Sequence, residues 1–455
     1  MAMSTNSVAN ATLELMPKQI QDETQWFDAA WSEIGYDHNG SIEAIGRDMY
    51  IVLPQKTAGN QGVGVRSEAS SRGTAGTDYL PVPGSITYAQ CKAKIAAMYG
   101  GINLTGMLKS LMKNAPEAQV ENLLLDQFED IKNSLQKEQR NYFWGAGDGA
   151  IAKIASFTGT TGACVVTCTA DHEFNGVAML EVGMQVCGYD SRTAGTASDW
   201  GTSQTSCVIT GVDYVNNTFD FTNAAGAGTP DLTAGDFLFR SSGAVTGTPS
   251  TNHAQTSPMG LTGIVDAPYT GTTHRILTTL QNVSGATYSY WRAQLSDGSG
   301  TDRAWNDVTI QGLFDSISQR AGIDIQKNAG DFRLIMGYGV RRALASQWAD
   351  RRFNPEFMTL EGGFGAIKYY PGTTTPVPML ISPVCPANCV FIIHLPSLKF
   401  AELEGWHWLS PGEEANEGLV RRAGMDEYEN HLGRYFQLVA LRRSPFGLER
   451  DVAEL

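Results

Sequence analysis

The sequence predicts an α+β protein in which a long hairpin and a long helix precede a mixed α/β body that carries an inserted all-β module. Three observations lead to this fold class. Residues 48–105 hold two β-type arms around a Gly- and Ser-rich stretch, residues 115–144 repeat apolar side chains at helical spacing, and residues 156–253 form a run of short β-type segments. The remaining body mixes both periods, as domains that combine helices with a sheet do.

The composition limits the possible functions. The chain has 455 residues, with 47 Asp and Glu against 33 Lys and Arg, a net charge of −14. At roughly 150 residues per domain, two or three domains are expected. The acidic excess argues against a protein that wraps nucleic acid over a broad surface, because phosphate binding needs Lys and Arg. Residues 1–16 lack a basic region and an apolar run, and no apolar run approaches the ~20 residues that span a bilayer. We therefore expect a soluble protein made in the cytoplasm.

Thr24–Ile34 predicts a short helix near the N-terminus. It carries three large aromatic side chains, Trp26, Phe27 and Trp31. These rings would be costly to leave in water on so short an element. We therefore expect Trp26 and Trp31 to contact another domain or another subunit.

The stretch from Asp48 to Thr105 predicts one long hairpin. Met49–Leu53 is a compact β run that is expected to end at Pro54. The return arm, Ala89–Tyr99, alternates apolar and polar residues over about 35 Å of strand. Its odd-numbered side chains are expected to share one face.

Between the two arms lies Thr57–Thr77, which is rich in Gly, Ser and Thr. Its main charges are Arg66, Glu68 and Arg72. A disordered surface loop is one interpretation. A structureless loop of this length is uncommon inside a compact domain, so we favour a function in contacts between subunits, with these three residues as candidates.

Ala115–Trp144 gives the clearest helical pattern of the chain. Pro116 and Glu117 open it, as expected at a helix N-terminus, and Gly145 follows its aromatic end. One narrow apolar stripe runs along it, formed by Val120, Leu124, Phe128, Ile131 and Leu135. About 28 residues at 1.5 Å each make a rod of about 40 Å, which would lie on a surface or span a wide sheet.

Residues 156–253 differ sharply from their surroundings. They contain two Arg and nine Asp and Glu, a net charge of 2 − 9 = −7, and no Lys occurs between Lys153 and Lys327. Five short β runs recur between turns, at Ala163–Thr169, Met184–Tyr189, Ser206–Gly211, Thr218–Thr222 and Phe237–Arg240. Asn216-Asn217 predicts a hairpin turn. The pattern indicates a small antiparallel barrel or sandwich, inserted as an exposed acidic lobe.

After Pro258 the pattern is mixed. Helices are predicted at Thr309–Ala321 and Val340–Trp348. Buried strands are predicted at Arg333–Met336, Pro378–Ile381, Val390–His394 and Phe436–Leu441.

The usual signatures of catalysis and metal binding are missing from the sequence. The G-x-G-x-x-A string at Gly145–Ala150 follows a helix instead of a strand, so it is interpreted as a helix stop and not as a dinucleotide site. The seven His are scattered; His394 is expected in the core and His407 beside its flanking indoles. The seven Cys show no zinc spacing and are expected to be buried free thiols. We expect no catalytic residues, no cofactor, no metal and no enzyme activity.

The order of arm, hairpin, long helix ending in Trp144-Gly-Ala-Gly, and α/β body with a β-rich insert resembles the major capsid proteins of tailed double-stranded DNA phages. That family has the Hong Kong 97-like capsid fold, with an extended hairpin loop, a spine helix, a peripheral domain and an axial domain. The resemblance implies the following division: 1–47 N-terminal arm, 48–105 extended hairpin loop, 106–155 spine helix and start of the peripheral domain, 156–253 inserted β-rich domain, 254–310 peripheral domain, 311–400 axial domain, and 401–455 C-terminal return to both domains.

The resemblance also implies a function and partners. It implies a structural protein that assembles with itself, as hexamers and pentamers, into an icosahedral virion shell in the cytoplasm of a bacterial host. The shell would enclose double-stranded DNA without sequence-specific contacts and without a membrane; portal, scaffolding and decoration proteins are further partners. Two alternatives stay open: a β-rich adhesin or carbohydrate-binding protein built around residues 156–253, and an encapsulin-like cargo compartment.

Overall fold

The computed structural model describes about three fifths of the chain in separate ranges. They are residues 29–34, 41–43, 48–49, 54–56, 88–105, 131, 134–135, 138–159, 162–192, 200, 206–223, 230–240, 257–265, 279–285, 287–288, 290–350, 357–359, 365–369, 376–409, 420–421 and 424–454. Within these ranges, no helix is both long enough and apolar enough to cross a membrane.

Strands outnumber helices in the described ranges. The strands are β1 Ser41–Glu43, β2 Asp48–Met49, β3 Pro54–Lys56, β4 Tyr88–Gln90, β5 Ala93–Lys94, β6 Ala96–Thr105, β7 Ala150–Thr158, β8 Gly162–Cys168, β9 Gln185–Tyr189, β10 Cys207–Asp213, β11 Thr218–Asn223, β12 Phe237–Arg240, β13 Thr279–Leu280, β14 Val283–Ser284, β15 Gln294–Ser296, β16 Phe332–Met336, β17 Phe357–Thr359, β18 Gly365–Tyr369, β19 Val377–Ile381, β20 Cys389–His394, β21 Leu398–Leu409, β22 Val420–Arg421, β23 Glu427–Ala440 and β24 Gly447–Arg450. The helices are α1 Ala29–Ile34, α2 Leu261–Val265, α3 Asp307–Ala321, α4 Ile325–Asn328 and α5 Tyr338–Asp350. Residues 138–144 are helical as well.

β23 is the central strand of a five-stranded sheet. It pairs antiparallel with β6 along one side and with β21 and the short β22 along the other. β1 closes the far edge by pairing parallel with β21. Leu432, Arg434 and Phe436 are buried on one face of β23, and Gly433 and Tyr435 between them lie on the opposite face. The predicted strand Phe436–Leu441 is thus the end of a much longer one.

Two short ladders precede β6. β5 pairs antiparallel with β2, with Asp48 opposite Lys94, and β4 pairs antiparallel with β3, with Pro54 opposite Gln90. Each pair forms a two-stranded sheet of its own. Pro54 begins a strand, so the expectation that the first arm ends there is wrong; the missing N–H of Pro is tolerated at the first residue of an edge strand. The connecting residues 57–87 lie outside the described ranges.

The return arm changes its buried face at Ile95. The buried residues are Cys91 and Ala93 before this point, and Ala96 and Met98 after it. Ile95 belongs to neither β5 nor β6, and the ladder changes partner there from β2 to β23. One residue outside a ladder exchanges the two faces of a strand. The expectation of a single face from Ala89 to Tyr99 is therefore wrong, and Tyr99 is 51% exposed.

Six strands close into an antiparallel barrel in the order β10-β11-β8-β7-β12-β9. Its first strand starts at Ala150, before the predicted start of the insert at Ser156. Apolar side chains exposed by 1% or less fill the interior: Ile154, Cys164, Val166, Val186, Trp200, Ile209, Phe219, Phe221 and Leu238. β10 and β11 form the predicted hairpin, and Asn217 takes the positive φ of 53° that such turns need.

A seven-stranded mixed sheet has the order β15-β24-β20-β16-β19-β18-β17. α3 packs on it through apolar residues that include Leu313, Phe314 and Ile317. The side chain of Asn306 caps α3, accepting a hydrogen bond from the Val308 N–H at 2.9 Å. β15 joins this sheet by pairing parallel with β24, although the resemblance places residues 254–310 in the peripheral domain.

The predicted long helix is described only near its C-terminal end, since residues 106–130 lie outside the described ranges. The helix ends at Trp144, and the Gly145 N–H donates to the Tyr142 carbonyl at 3.1 Å, which confirms the helix stop. The buried Trp144 ring meets Phe391 of β20 edge-on, with ring centroids 5.5 Å apart. Its carbonyl accepts a hydrogen bond from Thr262 of α2 at 2.6 Å. The helix end, α2 and the seven-stranded sheet are therefore packed together.

Candidate interaction surface

The five candidate contact residues fall on parts of the chain of which little is described. Trp26, Arg66, Glu68 and Arg72 lie outside the described ranges. The backbone of Trp31 lies in α1, but its side chain is not described. These residues therefore stay predictions.

The described side chains of α1 pack against the seven-stranded sheet of the same chain. Ala30 and Ile34 are fully buried, and α1 contacts β19. The carboxylate of Glu33 accepts hydrogen bonds from the Arg333 guanidinium on β16, in a pair that is almost completely buried. Because a buried charge needs its partner, this pair fixes α1 against the seven-stranded sheet.

Helical residues cover one face of the five-stranded sheet. A Cβ placed on Gly100 of β6 would lie 3.0 Å from a methyl group of Leu135 and 3.1 Å from Ile131. Glycine lets the helix approach β6 this closely. The two residues belong to the predicted apolar stripe of the long helix, so its described end has this stripe on the sheet.

Arg434 lies on the same covered face. Its guanidinium stacks against the rings of Phe400, Trp406 and Phe436, with centroid distances of 5.0 to 5.5 Å, and donates to Glu402 at 3.0 Å. Burial lowers the pKa of Arg434 and raises the pKa of Glu402. Each charge is stabilised by the other, and together they bind β21 to β23.

The opposite face of the sheet is exposed around Tyr99 and His431, where aromatic rings lie over glycines. Tyr99 of β6 stands opposite Gly433 of β23, and a Cβ on Gly433 would be 3.2 Å from the Tyr99 ring. The His431 ring would be 3.1 Å from a Cβ on Gly101 in the same way. Aromatic side chains pack across strands over glycine because the glycine leaves room for the ring.

Tyr435 completes this exposed face. Its ring meets Tyr99 edge-on at 6.0 Å and His407 at 5.1 Å. The hydroxyl of Tyr99 donates to that of Tyr435 at 3.4 Å; this hydrogen bond and partial burial raise the pKa of Tyr99 to about 12. His407 therefore packs against Tyr435 of the neighbouring strand.

The base of the hairpin is fixed to the body. The Lys92 N–H donates to the Gln281 carbonyl at 2.8 Å, in the turn between β13 and β14. The side-chain amide of Gln437 on β23 donates to the Lys94 carbonyl at 2.7 Å. The hairpin therefore leaves the body from a defined position at β5.

A buried ionic cluster holds the barrel to the end of the helix. Arg192 donates to Asp148 at 2.6 Å and to Glu173 at 2.8 Å, and its guanidinium lies 4.9 Å from the Phe174 ring and 4.8 Å from the Phe237 ring. Burial alone would raise the pKa of Glu173, but the neighbouring positive charges, above all Arg192, outweigh it and keep the pKa below its ordinary range.

Further contacts join the barrel to the body. The Asn175 side chain donates to the Pro383 carbonyl at 3.0 Å, next to the seven-stranded sheet. Arg240 of β12 pairs with Glu138 of the helix. The barrel is therefore held at several points and presents its surface from a fixed position.

The described residues include no candidate metal site, and their thiols are buried. No group of three or more His, Cys, Asp or Glu side chains in these ranges could hold a metal ion. All seven cysteines are described, and all are free and buried. Burial raises the pKa of Cys91 and Cys187 to about 11 and that of Cys168 to about 12, so these thiols stay protonated near neutral pH.

Sequence analysis missed the exposed ring face of the five-stranded sheet. Its residues come from three segments that are far apart in the chain, at Tyr99, His407 and Gly433. The alternation of aromatic residues and glycines in Tyr99–Gly101 and in His431–Tyr435 could have indicated this face. The pairing of β6 with β23 could not be read from either segment alone.

Comparison with solved structures shows that the chain is similar to phage capsid proteins. It is 14% identical to a chain of the cyanophage A-1(L) capsid asymmetric unit, with 92% of this chain and 95% of that chain covered and a TM-score of 0.45. For Mycobacterium phage Patience the identity is 8%, the coverage 98% and 88%, and the TM-score 0.37. A chain of the holo-SrpI encapsulin complex from Synechococcus elongatus PCC 7942 is similar over 35% of this chain and 53% of its own length, with 12% identity and a TM-score of 0.25. No family model and no curated protein matches the sequence.

Proposed function

We propose that the chain is a structural subunit of a phage capsid, without catalytic activity. In this proposal it assembles with itself, as hexamers and pentamers, into an icosahedral shell that encloses double-stranded DNA. Assembly takes place in the cytoplasm of a bacterial host, and the protein ends in the virion. Portal, scaffolding and decoration proteins are its further partners. The proposal includes subunit contacts through Trp26, Trp31, Arg66, Glu68 and Arg72.

The observation that carries the proposal is the hairpin formed by β2 to β5, which is only two strands wide. β2 with β5 and β3 with β4 form narrow ladders that belong to neither larger sheet. A two-stranded hairpin is at best marginally stable alone in water, so it needs a surface to pack on. Its base is fixed to the body through Lys92 and Lys94. A neighbouring copy of the chain supplies such a surface, and repetition of the contact by symmetry builds rings and shells.

The charge of the chain fits an enclosure for DNA. The net charge is −14, and residues 156–253 contribute half of it. An acidic shell repels phosphates and leaves the DNA free to move, so the shell holds its contents by closure and not by binding. Contacts with the DNA are accordingly independent of its sequence.

Shortening the hairpin tests the proposal. Lys56 and Tyr88 face each other in the ladder of β3 and β4, so Asn-Gly can replace residues 57–87 as a two-residue turn. We expect wild-type chain to form closed shells, tubes or hexameric rings under negative-stain electron microscopy. The shortened chain should keep the thermal unfolding of the wild type and stay monomeric, because only the contact to the neighbour is removed.

A second variant tests the candidate residues in a hairpin of full length. Arg66→Ala/Glu68→Ala/Arg72→Ala should lower the yield of assembled particles, and Val308→Ser, exposed on α3, serves as a control that should assemble normally. Shells formed by the shortened chain would contradict the role of the hairpin. Wild-type monomers both with and without a crowding agent would contradict the capsid function itself.

The carbohydrate-binding alternative is less well supported. The barrel interior is filled by apolar side chains, and its first strand begins at Ala150. Residues 156–253 alone would lack two thirds of β7 and the ionic cluster at Asp148. Glycan binding by the full chain, in a form that stays monomeric, would favour this alternative.

A further inference from the structure

The outer edge of β6 has no described partner. Among the residues that the structure describes, β6 pairs with β23 alone, along all ten of its residues from Ala96 to Thr105. On the other side of the same sheet, β1 pairs with three residues of β21. An edge strand presents backbone N–H and C=O groups that can pair with another strand.

β6 also lacks the features that usually prevent such pairing. Proteins protect edge strands with Lys, Pro, bulges or short length. The ten residues AAMYGGINLT contain no charged residue and no Pro. All ten are in register with β23, so no bulge interrupts the strand. The edge of β6 is therefore suited to pairing with another strand.

Charges of opposite sign flank the two ends of β6. The exposed Lys94 precedes its first residue. At the other end, Glu427 and Glu429 of β23 stand opposite Thr105 and Asn103. An antiparallel strand from a second copy would place each Lys94 at the same end as the glutamates of the other copy, two strand spacings (about 9.6 Å) across the sheet and one to five residues along it, whereas a parallel strand would place like charges at the same end.

We propose that β6 pairs antiparallel with β6 of a second copy of this chain, which joins two five-stranded sheets across a two-fold axis. A contact of this kind uses the same surface on both copies and needs an edge that complements itself, which the opposite charges flanking the two ends of β6 provide. The pairing concerns association between copies, so it deepens the proposed function, but it can be tested on dimers without any shell.

The two faces of β6 restrict the register of this pairing. Tyr99, Gly101 and Asn103 face outward, whereas Gly100 faces the helix at Leu135. Residues directly opposite in an antiparallel pair share a face, so outward residues must meet outward residues. Two central registers meet this condition: Gly101 opposite Gly101, or Gly100 opposite Gly100, which places residue 97 opposite residue 103.

Cysteine cross-linking distinguishes the two registers in the full-length chain. Gly101→Cys should give a disulfide-linked dimer in the first register, and Ala97→Cys/Asn103→Cys in the second, because opposite Cβ atoms lie about 4.5–5.5 Å apart. The wild type, with its seven buried thiols, and Tyr338→Cys, exposed on α5, are the controls. After mild oxidation, we expect one β6 variant to form dimer on a non-reducing gel at least about tenfold above both controls.

Hydrogen exchange gives a second readout that needs no substitution. Amides of residues 96–105 that point away from β23 should exchange fast in dilute monomer and slow down in the associated protein. Slow exchange in the monomer would mean that the chain covers its own edge and would overturn the proposal. So would dimer yields in both β6 variants no higher than in Tyr338→Cys at every protein concentration. If shells form but the cross-link does not, the contact between β6 strands is contradicted and the proposed capsid function is unaffected. If cross-linked dimers form but shells do not, the contact is supported and the capsid function is contradicted.

Discussion

Arg192 is the residue on which the position of the barrel depends most directly. Its guanidinium joins Asp148, just after the helix stop, to Glu173, in the loop between β8 and β9, and lies between two phenylalanine rings. Each carboxylate would be costly to bury without it. One side chain thus links three segments that are separate in the sequence.

The Glu173 carboxylate makes part of the stability dependent on pH. Its pKa is held below the ordinary range, so its charge stabilises the fold above the pKa of the unfolded chain, near 4.3, and this contribution is lost as the pH falls through the lower folded value. Glu173→Gln should lower the free energy of unfolding at pH 7 by about 1–3 kcal/mol, as for other hydrogen bonds to charged groups. The difference from wild type should shrink as the pH falls below about 4.

Urea unfolding at a series of pH values would measure this. Lys327→Ala is the matched control, because Lys327 pairs with Asp324 on the surface and should change stability by less than about 0.5 kcal/mol. A Glu173→Gln difference that is constant from pH 7 to pH 3 would show that the ion pair is not its source.

At the scale of elements, the end of the helix depends on a glycine in another segment. A Cβ on Gly260 would lie 2.3 Å from the Tyr142 carbonyl oxygen, 2.4 Å from that of Gly145 and 2.6 Å from that of Phe143. These are backbone atoms and cannot turn away as a side chain can. α2 is in turn bound at its C-terminus by the fully buried Arg443, which donates to the Ile264 carbonyl at 2.7 Å.

Gly260→Ala should therefore destabilise the protein by at least about 1–3 kcal/mol, the cost of overpacking. Gly312→Ala is the matched control: Gly312 lies inside α3 with open space around it, and the substitution should stabilise the protein by about 0.5–1 kcal/mol. Denaturant titrations of both variants would measure the two effects. Equal effects of the same sign would contradict the packing described for the helix end.

Local patterns predicted most of the elements. Helices at Thr309–Ala321 and Val340–Trp348 occur as α3 and α5, and the five β runs between 163 and 240 occur as barrel strands with shifts of one or two residues at most of their ends. Their periods repeat within one segment, so one segment is enough to find them. Pro54 and Ile95 were interpreted wrongly because the identity of the partner strand decides there, and local pattern does not contain it.

The pairing of strands within each sheet depends on residues far apart in the chain. Tyr99 stands opposite Gly433, and Gln294 opposite Gly447. The exposed face of the five-stranded sheet exists only once such pairs have formed, so its residues could not be predicted as a group. The candidates in the hairpin and N-terminal arm came from composition, and they remain predictions.

At the scale of the whole molecule, the reactivity of the seven cysteine thiols measures global unfolding. They lie in the barrel, at the hairpin base, in β20 and in the connection before β20, and all are buried. Because burial also raises the pKa of several thiols to about 11 or 12, attack by a thiolate needs the fold to open.

Ellman's reagent at pH 8 should therefore modify fewer than about one thiol per native chain within minutes, and all seven thiols once the chain is unfolded in guanidinium chloride. Surface-exposed Tyr338→Cys provides a control for reagent access and should add one fast-reacting thiol. Several fast thiols in the native wild type would contradict the burial described for the barrel and the sheets.

The positions of β23 and β24 in their sheets set an order of folding on the ribosome. β23 is central to the five-stranded sheet, and β24 lies between β15 and β20 in the seven-stranded one, so neither sheet can reach its final pairing before residues 427–450 have been synthesised. The barrel is complete by Arg240. At translation rates of roughly 5–20 residues per second, it has roughly 10–40 s to fold before the rest of the chain can do so. A nascent chain therefore cannot present a finished subunit to its neighbours on the same messenger RNA, and the late synthesis of two central strands delays association until the chain is nearly complete.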